Sequence, residues 1–340
     1  MLASLQVWEL AAHAAMVFVG ARPALDPATA QPVGPKEDLN KFLLDTVVAT
    51  AAMMVGLLLV RSLGVAIAVH LGGFRPLRKD VLGRSYLPKK TKSFRDAFVE
   101  LFYYTCSLSA ITKVAWDADW FWPGGWQRVM FDGRVQQIPE LQPYTIPADF
   151  KFLYAMETSY YLASFVLLLI QRLRRETRKD FVEMAAHHVI TAALLSLSFA
   201  TGYMRIGLVV MFLHNCFDPF LHLAKLAKYL RLPLLPDVSF VICAVTFALS
   251  RLYYYPSAIL QAWLGVCVGN KSCPGGVWDK TPVEMTLIAL LMALIPIHCL
   301  WFYMILMVLK KAIASLGVQG DVRSDSEEEE DERPPRVKSE

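Results

Sequence analysis

RKDFVEMAAHHVITAALLSLSFATGYMRIGLVVMFLHNCFDPFLHLAK, residues 178–225, decides how the rest of the chain is read. Two apolar runs, 181–202 and 206–224, are joined by a short turn at 201–205. Basic residues close both outer ends: Arg172, Arg174, Arg175, Arg178 and Lys179 before, Lys225, Lys228 and Arg231 after. That pattern predicts a transmembrane hairpin whose two ends lie on one side of a bilayer. Yet the hairpin holds four of the seven histidines and an aspartate, Asp218. At helical rise His187 and His188 stand about 12–13 Å above Lys179, Asp218 about 10 Å and His214 about 16 Å above Lys225. Titratable groups of two antiparallel helices therefore meet at one depth. Ionisable residues inside a span are costly and mark a functional site by default. His214, Asp218, His222 and Lys225 follow helical spacing along one face.

Composition sets the frame. Of 340 residues 55% are hydrophobic, and the mean hydropathy of +0.40 predicts a polytopic membrane protein. Net charge is +4, but residues 321–340 carry nine acids and four bases, which leaves +9 on the rest. Those bases sit in short loops between apolar runs, as the positive-inside rule requires, so no nucleic-acid partner is expected. Six cysteines lack metal-ligand spacing. Cys106, Cys216, Cys243 and Cys299 lie in apolar runs and are expected to be packing residues.

The fold class expected is all-α, a bundle of about seven transmembrane helices, with an eighth at 1–20 left open. Residues 1–43 form an N-terminal segment with a Pro-rich linker. Residues 44–88 hold the first span and a basic loop. A domain of six spans follows over 89–312, and residues 313–340 form an acidic tail expected to be disordered. Expected spans run over 44–70, 96–115, 149–170, the hairpin, 238–256 and 284–309. Arg61 interrupts the first and is expected to face inward. The loop 116–148, with Trp116, Trp120, Trp122 and Trp126, reads as an aromatic belt on the opposite side. Basic loops alternate with non-basic ones, which puts the C-terminus in the cytosol and the histidine cluster in the cytosolic half of the membrane. The lumenal loop 257–283 then carries the sequon at Asn270 and a candidate disulfide, Cys267 with Cys273. Ser324 and Ser326, beside the acid run, are candidate phosphorylation sites.

A neutral imidazole can serve as base, nucleophile or metal ligand. A carboxylate beside it fixes its tautomer and favours proton abstraction. His187, His188 and Asp218 are accordingly the candidate catalytic residues, for acyl transfer to an amine or hydroxyl on a lipid. Adjacent histidines lie about 100° apart on a helix, so one of the pair at most points directly at the partner helix. Substrate contacts fall to His214, Asn215, Lys225, Arg205, Arg178 and Lys179, the bases that flank the hairpin being placed to hold the phosphates of an acyl-CoA. The rival reading is a divalent metal on His214, Asp218, His222 and one of the pair. The hydroxylases and desaturases that use such centres carry several His boxes, so no metal is expected.

These residues resemble a known family, the TLC-domain ceramide synthases of the Lag1 type. The double-His motif carries the resemblance, together with KKTKSFRDAFVELFYY at 89–104, FLYAMETSYYLASFVLLL ahead of RRETRKDF, and the ending from Arg251 to Pro256. The resemblance implies a multi-pass endoplasmic-reticulum enzyme that N-acylates a sphingoid base from a fatty acyl-CoA, with no bound cofactor. His187 and His188 match its catalytic pair, one of them a candidate acyl carrier, and Asp218 its later aspartate. Residues 257–283 match the segment tied to acyl-chain length. Partners expected are the sphingoid base, the acyl-CoA and the bilayer, with a homodimer or a small membrane accessory subunit left open. Asn215 departs from the pattern, standing where the family has a second Asp, and His222 stands where Glu or Ser is commoner. Pro219 is expected to break the helix ladder and free the carbonyl of Asn215. The alternative function is a non-enzymatic lipid-binding or regulatory protein of the same fold.

Overall fold

The structure, a computed structural model, describes residues 36–70, 73–74, 78–79, 85–86, 88–118, 121–122, 148–174, 180–201, 203–264 and 282–315. Residues 1–20, Trp120, Trp126, Arg178, Lys179, Cys267, Asn270, Cys273, Ser324 and Ser326 lie outside them. Nine α-helices are described: α1 Lys36–His70, α2 Lys89–Ala115, α3 Ala148–Leu173, α4 Phe181–Thr201, α5 Met204–Asn215, α6 Asp218–Tyr229, α7 Leu235–Phe247, α8 Tyr255–Leu264 and α9 Pro282–Ser315. A π-helical turn, Ala248–Tyr254, joins α7 to α8 without a break. Between α1 and α2 the two-residue strands β1, Arg78–Lys79, and β2, Ser85–Tyr86, pair antiparallel.

Among the described residues six segments are long and apolar enough to cross a bilayer: Leu44–His70, Ala148–Leu173, Phe181–Thr201, Met204–Tyr229, Leu235–Ile259 and Met285–Ile313. The shortest has 21 residues and spans about 31 Å, matching a hydrocarbon core of about 30 Å. The surfaces agree. α1 exposes Val47, Val48, Val55, Leu58, Leu59 and Leu63, and α7 exposes Val238, Val241, Ile242 and Val245. Apolar stripes of that length belong against lipid rather than water.

The expected span at 96–115 is not among the six. It folds as part of α2, whose Lys89, Lys90, Lys92, Arg95, Asp96, Glu100 and Lys113 lower its apolarity. Packing decides its place instead, because α2 lies against α1, α5 and α6 and buries Phe94, Ala97, Val99, Tyr103 and Ile111. The first helix also starts earlier than its apolar run, at Lys36. Arg61 does face inward, with Nη2 3.9 Å from Asp96 of α2. Of the four described cysteines, Cys243 is buried and Cys216 partly so, whereas Cys106 and Cys299 are exposed on the helix surfaces. Their positions in apolar runs reflected lipid-facing as well as packed faces.

Neighbouring elements close a ring: α1 packs on α3, α3 on α4, α4 on α9, α9 on the π turn and α7, α7 on α6, α6 on α2, and α2 on α1. Within it α5 touches α2, α4, α6 and the π turn. The helix carrying His214 is thus surrounded by protein, where polar groups escape the lipid. One contact requires glycine. A Cβ on Gly207 of α5 would collide with the hydroxyl of Tyr154 and come 2.9 Å from its Cζ. Tyr154 is fully buried and donates its hydroxyl to the Met204 carbonyl at 3.0 Å, while Ser198 donates to that hydroxyl at 3.2 Å. α3, α4 and α5 are pinned together there.

The second arm of the hairpin is not one straight helix. It breaks at Cys216–Phe217, and α6 restarts with Asp218 and Pro219 in its first turn. Proline has no N–H to donate and is tolerated at that position. An acid there also suits the helix dipole. The carbonyl found in use at the break is that of His214, one residue before the one expected, and Arg251 takes it.

Candidate active site

His187 and His188 sit near the start of α4, both buried. Their side chains part as the helical angle requires. His188 bonds Met184 of its own helix, Nδ1 to carbonyl at 2.7 Å. The His187 ring stacks with that of His214 on α5 at 6.3 Å between centroids. It also meets Trp301 of α9 at 5.1 Å and Tyr161 of α3 at 5.8 Å. The two arms of the hairpin therefore do meet at one depth. No hydrogen bond holds His187 among the described residues, and its Nδ1 is buried without a partner.

His214 leads on to a histidine that the sequence reading passed over. Its Nε2 lies 3.2 Å from Nε2 of His298, a fully buried residue of α9. The tautomers follow from the partners. A carbonyl only accepts, so His188 and His214 carry their protons on Nδ1, the latter facing the Val210 carbonyl at 2.8 Å. With neutral rings, His214 Nε2 is then the acceptor and His298 Nε2 the donor. Three imidazoles from three helices, His187, His214 and His298, form one contiguous row.

Asp218 does not join that row. Its partner is Arg251, Nη2 to Oδ2 at 3.4 Å, not either member of the double histidine. The same Nη2 donates to the His214 carbonyl at 2.8 Å. Arg251 sits in the π turn, 3% exposed, with its guanidinium 4.3 Å from the Phe217 ring and within 5.7 Å of Phe247 and Trp301. A π turn shifts the register of side chains within a helix and recurs at functional sites. Here it turns a cation inward at the helix break. Asp218 thus neutralises Arg251, and Arg251 fixes the end of α5 where His214 stands.

Asn215 points to the other side. Its Nδ2 donates to Ser107 of α2 at 2.8 Å and to Glu157 of α3 at 3.0 Å. Ser107 in turn donates to Glu157. All three residues are at most 1% exposed. A carboxylate therefore does stand beside position 215, supplied by α3. The sequence reading gave Glu157 no role, because its partners lie 50 and 58 residues away. The only signal in the sequence was an acid in an apolar span.

A cavity of about 90 Å³ opens between α3, α4, α5 and α9. Glu157, Tyr161, His214 and Asn215 line its polar end. Leu194, Leu195, Val210, Leu287, Leu291 and Leu294 are among its apolar walls. The remaining candidates lie elsewhere. His222 stacks on Tyr104 of α2 at 5.9 Å, away from His214, and Lys225 and Arg205 are half-buried. Among the described residues no three His, Cys, Asp or Glu side chains converge as a metal centre would need. The arrangement offers neutral imidazoles for proton transfer, a buried carboxylate and an apolar chamber, all in one bundle.

Comparison with known proteins identifies the family. The TLC-domain profile, which unites TRAM, LAG1 and CLN8 sequences, matches residues 93–307. ASC1-like protein 1 of Oryza sativa subsp. japonica is 29% identical over 249 residues, 72% of this chain and 76% of its own. Alternaria stem canker resistance protein 1 of Solanum lycopersicum is 30% identical over 257 residues, 72% and 77% of the two chains. Ceramide synthase 5 of Homo sapiens is 30% identical over 251 residues, 72% of this chain but 58% of the human one. The profile covers more than half of the chain, including every helix that builds the histidine row: the chain belongs to the TLC-domain family.

Proposed function

We propose that the protein is an acyl-CoA-dependent N-acyltransferase that joins a fatty acyl group to the amine of a sphingoid base, giving ceramide or dihydroceramide. The observation that carries this reading is the row of buried imidazoles beside an apolar cavity, in a chain similar to proteins named ceramide synthase. In the reaction the amine nitrogen attacks the thioester carbonyl carbon. The C–N bond forms, the C–S bond breaks, and coenzyme A leaves as thiolate. The amine loses one proton, and the thiolate takes one up. His187 or His188 accepts the amine proton, having a ring nitrogen that is neutral when no proton is bound. The apolar cavity receives a hydrocarbon chain and keeps water from the thioester. On this reading the chain works in the endoplasmic-reticulum membrane with its C-terminus cytosolic. Lys225 and the basic stretch around Arg178 and Lys179, at the outer ends of the hairpin, meet the donor's phosphates.

The test is transfer from acyl-CoA to sphinganine by microsomes that lack endogenous activity, with the chain supplied as the sole source. Wild type is expected to form the amide, and His187→Ala and His188→Ala are expected to lose it. Full turnover by both variants defeats the catalytic assignment. Asn215, in place of an acid, favours a second reading as a lipid-binding regulator without turnover. An inactive wild type with an active Asn215→Asp variant would establish that one instead.

A further inference from the structure

Glu157 is the one buried carboxylate of the site that no cation answers among the described hydrogen bonds and ion pairs. Its Oε1 accepts twice, from Ser107 Oγ and from Asn215 Nδ2 at 3.0 Å. Its Oε2 is buried and accepts nothing. The Tyr103 hydroxyl stands near enough to this carboxyl group to act on it as a donor, but the hydrogen-bond geometry is not met and neither that hydroxyl nor Oε2 has a partner, so a cation bound at Oε2 takes the place that this hydroxyl would otherwise fill. The residue is 1% exposed and lines the polar end of a cavity whose other walls are mostly apolar. A carboxyl group so placed demands a proton or a cation, because an unpaired charge away from water is costly.

The donors on Oε1 are fixed by chemistry. Asn215 offers only N–H from Nδ2, and that atom is spent on Ser107 and Glu157 together. An acid at position 215 would put a second carboxyl against Oε1 and require a shared proton. The amide instead leaves Glu157 free to be charged and holds its second oxygen open. What fits there is a compact cation with several N–H donors and an apolar tail long enough for the chamber.

We propose that Glu157 is the site that binds the substrate's primary ammonium group, with Asn215 and Ser107 as the residues that position it. This rests on the amine-acylation reading above and adds the residue that selects the amine. Bound there, the ammonium forms a charge-assisted hydrogen bond to Oε2 within the cavity that His214 also lines. Before attack it gives up one proton, to Glu157 or to a histidine of the row, and the neutral nitrogen then carries the lone pair that bonds to the acyl carbon.

The experiment measures binding of radiolabelled sphinganine to the detergent-solubilised full chain, without acyl-CoA. The comparison ligand is octadecane-1,3-diol, which lacks the amine and keeps the tail and both hydroxyls. Wild type should prefer sphinganine by roughly tenfold or more, the least that a charge-assisted hydrogen bond supplies. Glu157→Gln should lose that preference and still bind the diol as wild type does, which shows that it is folded. If it loses both ligands, Glu157→Asp decides: a retained preference supports the site, and its absence overturns it. Glu157→Gln with the full preference, or wild type with none, also overturns it. Acyl transfer by wild type is scored in parallel. Turnover without an amine preference refutes the ammonium site and leaves the acyltransferase reading standing. A preference without turnover leaves the site and removes the reaction.

Discussion

Arg251→Met is the perturbation that most directly probes how the site is held. The side chain is 3% exposed. One nitrogen, Nη2, serves both the Asp218 carboxylate at 3.4 Å and the His214 carbonyl at 2.8 Å. Methionine keeps much of the volume and removes both interactions. Stranding the Asp218 charge in the bundle costs about 3–5 kcal/mol. Losing the partner of a buried carbonyl costs about 1–3 kcal/mol taken alone. The two share one donor and do not add, so the expected loss stays near 3–5 kcal/mol. Asp218→Asn alone leaves Arg251 in contact with the rings of Phe217, Phe247 and Trp301, and is expected to cost less. The double variant removes the stranded charge as well. It should therefore be more stable than the sum of the singles by about 1.5–3 kcal/mol. The assay is thermal unfolding of the detergent-solubilised chain followed by size-exclusion chromatography, with relative stabilities drawn from the four proteins of the cycle. A loss below about 1 kcal/mol for Arg251→Met, or strict additivity of the pair, refutes the argument.

Three further outcomes follow from the packing. Gly207→Ala should destabilise by about 1–3 kcal/mol through overpacking against Tyr154. Removing that hydroxyl with Tyr154→Phe in the same chain should recover part of the loss in the same melting assay, and no recovery would show the clash is not the cause. His298→Phe removes the donor to His214 Nε2 and should lower turnover about tenfold, the worth of one buried hydrogen bond, with little change in KM. A change confined to KM would contradict a role through His214. Leu59→Arg, at a residue of α1 that is itself 66% exposed, should raise the apparent insertion free energy by about 2.5–3.5 kcal/mol if its face meets lipid. An insertion assay that reads no penalty would take α1 out of the bilayer.

Much of the bundle was legible because a membrane imposes long apolar runs, and the hairpin shows this best. Its turn, its basic ends and the shared depth of His187 and His214 all follow from rise per residue and hydropathy. Pro219 announced the break in the second arm. Its location at Cys216–Phe217, and the use of the His214 carbonyl rather than that of Asn215, depended on Arg251, 37 residues further on. α2 was the limit of hydropathy as a guide: it carries charges at both ends, and four neighbouring helices, α1, α3, α5 and α6, pack against it. Asp218 was read as the orienting carboxylate of the double histidine because it lies at their depth and matches the motif's later aspartate, and an unbroken helix would also have put it in one stripe with His214. Once the helix breaks, that stripe no longer exists, and the acid meets Arg251. His298 and Glu157 were illegible as site residues for one reason. Each is the one acid or imidazole in its stretch of a largely apolar run, and its meaning appears only when another helix brings a partner to it.

The central claim, that this bundle acylates an amine, is tested most directly by counting both products of one reaction. Microsomes carrying the chain are given sphinganine and acyl-CoA, and the amide is measured by mass spectrometry against free coenzyme A thiol. The account predicts one amide formed for each thiol released, with both products abolished in His187→Ala and His188→Ala. Thiol release without amide, or amide formation that both variants sustain at the wild-type rate, would contradict it.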